Sequence, residues 1–271
     1  MFEASRSYFL KTDHILVPMF RGINSIKALK MSYDIAEYNN SEITAITVRE
    51  KNDSIEWSNS VTLVTNAYKD GKRRGLKVIP KITTSDNVRS GLLKEASSHY
   101  YDMLLMATHK RAMLSGSIFG SIGDYILKNI DIPVALLSIS EREYPYKKIL
   151  LPVAESINTR AAVYFGIELA KINHAKIIIF DLRKYDKRRT HGFKNLFDGI
   201  GDIAKNGIDI KIEKSGEKSG IKTEIDSIIL NEDPDCVVIG ARSPANERIR
   251  INSDIKYISK DQRVDTLLIK K

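Results

Sequence analysis

The feature that most constrains this chain is that it repeats itself. "DHILVPMFRGINSIKALKMSYDIA" from Asp13 is echoed by "KKILLPVAESINTRAAVYFGIELA" from Lys147. "DMLLMATHK" from Asp102 returns as "DCVVIGARS" from Asp235, and "IPVALLSI" from Ile132 as "VDTLLIKK" from Val264. Each pair is offset by about 133 residues, a whole domain's length and far too long for a solenoid unit. The chain therefore reads as a tandem duplication, with domains at 1–140 and 141–271 and "SISEREYPY" (Ser138–Tyr146) as the linker.

Within each half, apolar runs alternate with helical periods. In the first, strands are expected near Ile15–Met19, Ile43–Arg49, Lys77–Ile82, Met103–Ala107 and Val134–Ser138. Helices are expected near Ser25–Tyr38, Ile55–Arg73, Asn87–His99 and Ser121–Ile130. The second half gives strands near Ile149–Val153, Lys176–Asp181, Ile208–Ile212, Cys236–Gly240 and Thr266–Ile269. Its helices are expected near Ile157–Lys171, Lys187–Lys205, Ile221–Leu230 and Ile255–Lys260, the last without a firm amphipathic pattern. Short, continuous Val/Ile/Leu strands with little alternation belong to sheets covered by helices on both faces. Strand–helix alternation implies parallel strands and right-handed crossovers, so the fold class is α/β and doubly wound. A ligand would then sit beyond the carboxyl ends of the strands, at the switch point.

Composition excludes several classes. With 42% hydrophobic and 28% charged residues, the chain has ordinary globular make-up. No apolar run approaches the roughly 20 residues that span a bilayer. The opening "MFEASRSYFLKTDHILVP" has neither a long apolar core nor a small-residue cleavage site, so no secretion signal is expected. One cysteine, Cys236, rules out an internal disulfide framework and fits a reducing cytoplasm. The net charge of +9 is spread over both halves. Its two short clusters, "KDGKRRG" (Lys69–Gly75) and "RKYDKRRTHG" (Arg183–Gly192), lack the interleaved aromatics on which a single-strand binder stacks bases. They read as solvated faces, and nucleic-acid binding through them would show a steep salt dependence.

Familiar chemistry is missing. There is no G-x-x-x-x-G-K-[ST], and "GSIFGSIG" does not follow a strand as a dinucleotide fingerprint must. The five histidines show no H-x-x-x-H or H-E-x-x-H spacing, and no G-x-S-x-G elbow presents a nucleophile. No catalytic constellation emerges, so the chain reads as a non-enzyme.

The remaining signal is "LLMATHKRAMLSGSIFGSIGDYIL", a strand, a loop and a helix opening at Gly120-Ser121. Together with "HILVPM", "IPVALL" and their second-half counterparts, it resembles the universal stress protein family over nearly the whole chain, as two fused copies. The resemblance implies a flavodoxin-like sheet of order 3-2-1-4-5 in each copy. It also implies a pseudo-two-fold relation through the last strands, "VALLSI" and "TLLIKK", and possible further homodimers. Nucleotide-binding members carry G-x2-G-x9-G-[ST] after the fourth strand and an acidic residue after the first. Glycines let backbone N–H groups reach phosphate oxygens, and the last Gly-Ser opens a helix whose N-terminus favours anions.

In the first repeat this pattern falls on Ala107, Thr108, His109 and Lys110, then on Gly120 and Ser121, with Val48 beside the base. Ser121 can donate to a phosphate or simply cap its helix, with Asp124 completing a capping box. Lys110 can fill the phosphate space or supply a cation to it. The acidic position is Phe20, which cannot accept a hydrogen bond but can cap the sheet end or stack on a base. In the second repeat the pattern falls on Gly240, Ala241, Arg242 and Ser243, then on Ser253-Asp254, with Ala154 at the acidic position. A carboxylate at Asp254 would repel phosphate, so this site is expected not to take ATP. The implied function is a stress-response regulator with ATP, ADP or AMP in the first repeat only. The alternative is a nucleotide-independent interaction module for a membrane transporter.

Overall fold

In the computed structural model, residues 10–20, 23–51, 57–98, 100–109, 119–186, 197, 207–216, 220–241 and 251–271 are described. The chain divides into two compact units between Leu137 and Ser138. In the first, β1 (His14–Pro18), β2 (Glu42–Glu50), β3 (Lys77–Ser85), β4 (Met103–His109) and β5 (Val134–Ile139) alternate with α1 (Ile23–Asn39), α2 (Trp57–Arg73), α3 (Val88–Ala96) and α4 (Gly120–Asn129). Its strands lie in the order β3-β2-β1-β4-β5, the flavodoxin-like arrangement that the resemblance implied. The parallel register sets Ile15 beside Ile43 and Ile43 beside Val78.

The second unit repeats the plan. It has β6 (Lys148–Val153), α5 (Arg160–Asn173), β7 (Lys176–Asp181), a 3-10 turn (Arg183–Tyr185), β8 (Ile210–Lys214), α6 (Ile221–Glu232), β9 (Cys236–Ala241), α7 (Ser253–Ser259) and β10 (Asp265–Lys270). The strand order is β8-β7-β6-β9-β10, the same permutation as in the first unit. Leu150 lies beside Ile178 and Ile178 beside Lys211.

The inner strands are apolar throughout because helices cover both faces. Ile15, Leu16, Val17, Leu104 and Leu105 in one sheet, and Leu150, Leu151, Ile178, Val238 and Cys236 in the other, are inaccessible to solvent. The continuous burial of the inner strands ends at the edges, where "KVIPKITTS" has Val78 as its one buried residue and "IKIEK" has only half-buried and exposed ones. Pro80 sits inside β3, where an edge strand tolerates its missing N–H. Lys81–Glu95 and Lys211–Glu232 ion pairs, both at 2.6 Å, place charge along these edges and discourage pairing with other chains.

Several boundaries move for local reasons. The helix expected from Ile157 starts at Arg160, because the Ile157 and Asn158 N–H groups close a turn on the Ala154 carbonyl and Thr159 then caps the helix. The strand expected at Ile208 starts at Ile210, behind a turn with Gly207 at φ 82°. Despite its weak pattern, the segment after Asn252 forms helix α7, nucleated by a cap that periodicity does not register. The helix expected over Lys187–Lys205 lies almost wholly outside the described residues.

"SISEREYPY" is no free tether. Asp265 accepts hydrogen bonds from Ser140 N (2.6 Å), Ser140 Oγ (2.8 Å) and the Tyr146 hydroxyl (2.7 Å). Arg142 Nε donates to the Arg263 carbonyl at 2.7 Å, and Tyr146 is fully buried. Burial drives the Tyr146 phenol well above its ordinary pKa, so it stays a donor. Among the described residues, no helix is long and apolar enough to cross a membrane.

Candidate functional site

The carboxyl end of the first sheet is built from the ends of β1, β2 and β4 and the starts of α3 and α4. At β1, the Met19 N–H continues the ladder to the Ile46 carbonyl at 2.7 Å. Ser25 Oγ then accepts from Phe20 N (2.7 Å) and donates to Phe20 O (3.1 Å). The backbone at Phe20, where the resemblance implied an acidic residue, is thus satisfied by Ser25, the third residue of α1, and the Phe20 ring is half-buried.

At β2, successive side chains leave on opposite faces. Val48 packs against Gly91 of α3, where a Cβ would come within 2.5 Å of its methyl. Arg49 lies over the Trp57 ring at 5.1 Å. Glu50 accepts from Val88 N at 3.2 Å, holding the start of α3. Asn87 caps that helix, its side chain accepting from Ser90 N at 2.9 Å.

At β4, Ala107 is buried, and Thr108 Oγ1 donates to the Phe119 carbonyl at 3.1 Å, tying strand to helix across the loop. His109 is exposed, and Lys110 lies outside the described residues. Gly120 is buried at φ 75°, a left-handed conformation in which a side chain would be strained. Ser121 is exposed and does not cap the helix: Phe119 stands at the cap without a side-chain hydrogen bond. Asp124 reaches back to Phe119 N at 3.1 Å. The expected Ser121–Asp124 capping box is therefore replaced by a longer reach from Asp124, because Gly120 turns the chain one residue earlier.

The end of β2 and the starts of α3 and α4 border an open cavity of about 520 Å³, within the usual range for small-ligand sites. Glu50, Asn87, Val88, Arg89, Ser90, Ser121, Ile122 and Tyr125 line it. Of the residues expected from sequence, Ser121 lines this cavity and Gly120 precedes it in the chain; Val48, Ala107, Thr108 and His109 are not in its wall. Sequence reasoning missed the contribution of the β3–α3 junction. A readable signal was present in "SDNVRS": an asparagine cap with an arginine two residues on, in the first helical turn, where the helix dipole disfavours a cation.

At the corresponding end of the second unit, the described residues pack closely. A Cβ on Gly240 would lie 2.4 Å from Thr159 Oγ1 and 2.6 Å from Thr159 N, so this glycine permits close helix–strand packing. Asn158 Nδ2 donates to the Pro152 and Val238 carbonyls at 2.8 and 3.0 Å, knitting β6 to β9. At α7, Asn252 Oδ1 accepts from Asp254 N (3.0 Å) and Ile255 N (2.8 Å). Backbone donors that an anion would need are already used, beside the Asp254 carboxylate. Arg242, Ser243, Arg248 and Arg250 lie outside the described residues. Among the described residues, no group of three or more His, Cys, Asp or Glu side chains could hold a metal ion.

Two α/β units of the same strand order, one with an open helix start at the sheet's carboxyl end, define a tandem protein of flavodoxin-like fold. Residues 11–138, which make up the first unit, match the model of the universal stress protein family. A universal stress protein from Archaeoglobus fulgidus superposes with a TM-score of 0.64, at 14% identity, over 97% of this chain and 98% of its own. A putative universal stress protein from Pseudomonas aeruginosa UCBPP-PA14 gives 0.66, at 15% identity, over 96% and 94%. A universal stress protein in complex with cAMP matches 46% of this chain and 96% of its own, at 14% identity and a TM-score of 0.40. No curated protein matches the chain in sequence.

Proposed function

We propose that this chain is a non-enzymatic regulatory protein of the universal stress type that binds an adenine nucleotide in its first unit only. The observation that carries this reading is the contrast between the two helix starts. In the first unit, α4 opens beside a cavity through a glycine at φ 75°, with Ser121 facing the space and no side chain from the cap residue on its amides. In the second, Asn252 occupies the equivalent donors. Backbone N–H groups at a helix start hold phosphate only where they are free and the approach is unobstructed.

The test is a thermal-shift and titration series with ATP, ADP and AMP on the full chain. Ligand at 100 times its Kd stabilises the fold by about 2.7 kcal/mol. Ser121→Ala together with Gly120→Ala is expected to remove the shift, whereas Asp254→Ala leaves it intact. A chain that responds to none of the three nucleotides is better described as a nucleotide-independent interaction module.

A further inference from the structure

We infer that Arg89 is the residue by which this site distinguishes nucleoside polyphosphates from less charged ligands, a cation supplied by α3 where Ala107 and Lys110 stand at the first two glycine positions of the phosphate pattern. The inference rests on the nucleotide reading above and deepens it.

Arg89 is the second residue of α3 and lines the cavity on the wall shared with Asn87 and Ser90. Ser121 and Tyr125 of α4 line the same space. The Arg89 guanidinium lies 5.9 Å from the centre of the Tyr125 ring, and among the described residues no carboxylate pairs with it. Apart from this ring contact at the long end of the cation–π range, neither helix stability nor an ion pair explains a cation in this place. At the first turn of a helix the dipole opposes positive charge, and α3 has no acidic residue of its own in that turn; the Glu50 carboxylate of β2 meets the helix start at Val88 N and does not pair with Arg89. A local choice that works against its own element points to a role beyond folding. An anion in the cavity relieves the conflict. The planar guanidinium offers the paired donors that match phosphate oxygens.

The cavity is also polarised. Glu50 stands on the β2 side, its carboxylate engaged with Val88 N yet with acceptor capacity left for a hydroxyl. Phosphate is repelled from that side and drawn toward Arg89 and Ser121, while a sugar's hydroxyls suit Glu50. One ligand with a neutral hydroxylated part and a multiply charged tail satisfies both ends.

The experiment is calorimetric titration of the full chain, freed of carried-over nucleotide, with ATP, AMP and adenosine. The parent chain is compared with Arg89→Ala, Arg89→Lys and Ser121→Ala, each checked for an unchanged melting profile. The parent is expected to bind ATP at least tenfold more tightly than adenosine. Arg89→Ala should collapse that ratio by tenfold or more with adenosine affinity unchanged, and flatten the salt dependence of ATP binding. Arg89→Lys should recover part of it, because charge returns without the fork. If Arg89→Ala leaves the ATP-to-adenosine ratio where it was, the inference is overturned while the nucleotide reading stands. If the parent binds none of the three ligands, both fall.

Discussion

Asp265 carries more of the second unit than its position at a strand start suggests. It is inaccessible to solvent and accepts from Ser140 N, Ser140 Oγ and the Tyr146 hydroxyl. Asp265→Ala leaves the buried Tyr146 hydroxyl and the half-buried Ser140 donors without this acceptor and is expected to destabilise the protein by about 3 kcal/mol. Tyr146→Phe removes one bond and should cost about 1–2 kcal/mol; urea denaturation of both variants reads the order. A second residue-scale effect is electrostatic. Burial pushes the Asp181 carboxyl up, but Arg183 outweighs it with bonds at 2.9 Å and 2.7 Å from its guanidinium and 3.1 Å from its backbone. The net pKa is lowered. A carboxyl depressed in the folded state contributes stability above its unfolded value of about 3.9, and that contribution is lost as pH falls through the folded value. Arg183→Met should therefore lower stability at neutral pH, and its deficit against the parent should shrink on acidification below about pH 4. A deficit independent of pH would show that Arg183 acts by packing alone, over the Phe197 ring at 3.9 Å.

Among the elements, helix starts separate the units more sharply than strands do. Thr159 caps α5 by accepting from Ala162 N at 3.2 Å, and Asn87 and Asn252 cap α3 and α7. Thr159→Ala should cost about 1 kcal/mol in thermal or chemical unfolding. Helix α4 departs from this pattern, with Phe119 at its cap. Strand positions and most helix ends were legible within a few residues, because buried parallel strands need unbroken apolar runs and caps need particular side chains. What escaped was the start of α5, set by a turn on the Ala154 carbonyl, and the cap that begins α7 two residues before the expected Ile255, where one asparagine outweighs a poor apolar pattern. Gly240 was legible as a glycine but not in its role. Its lack of a Cβ serves Thr159, a residue distant in sequence that folding brings within 3 Å.

For the whole molecule, ligand binding in one unit has a distinctive signature. Hydrogen exchange of the full chain with saturating ATP should slow at amides of β1, β2, β4 and the start of α4, and remain unchanged at β6, β7 and β9. Equal protection in both units would mean that the second also holds ligand, contrary to its occupied helix start. The duplication, the α/β class and the loss of the second site's Gly-Ser could all be read from order and spacing along the chain, since repeats and strand runs are linear properties. Strand order entered through family resemblance and is now seen in both units. The cavity could not be read, because Glu50, Arg89 and Tyr125 come from three separate elements. Local propensity records which helix each residue joins; only the packing of α3 beside α4 over the sheet's carboxyl end decides that a guanidinium, a carboxylate and a helix start face one space.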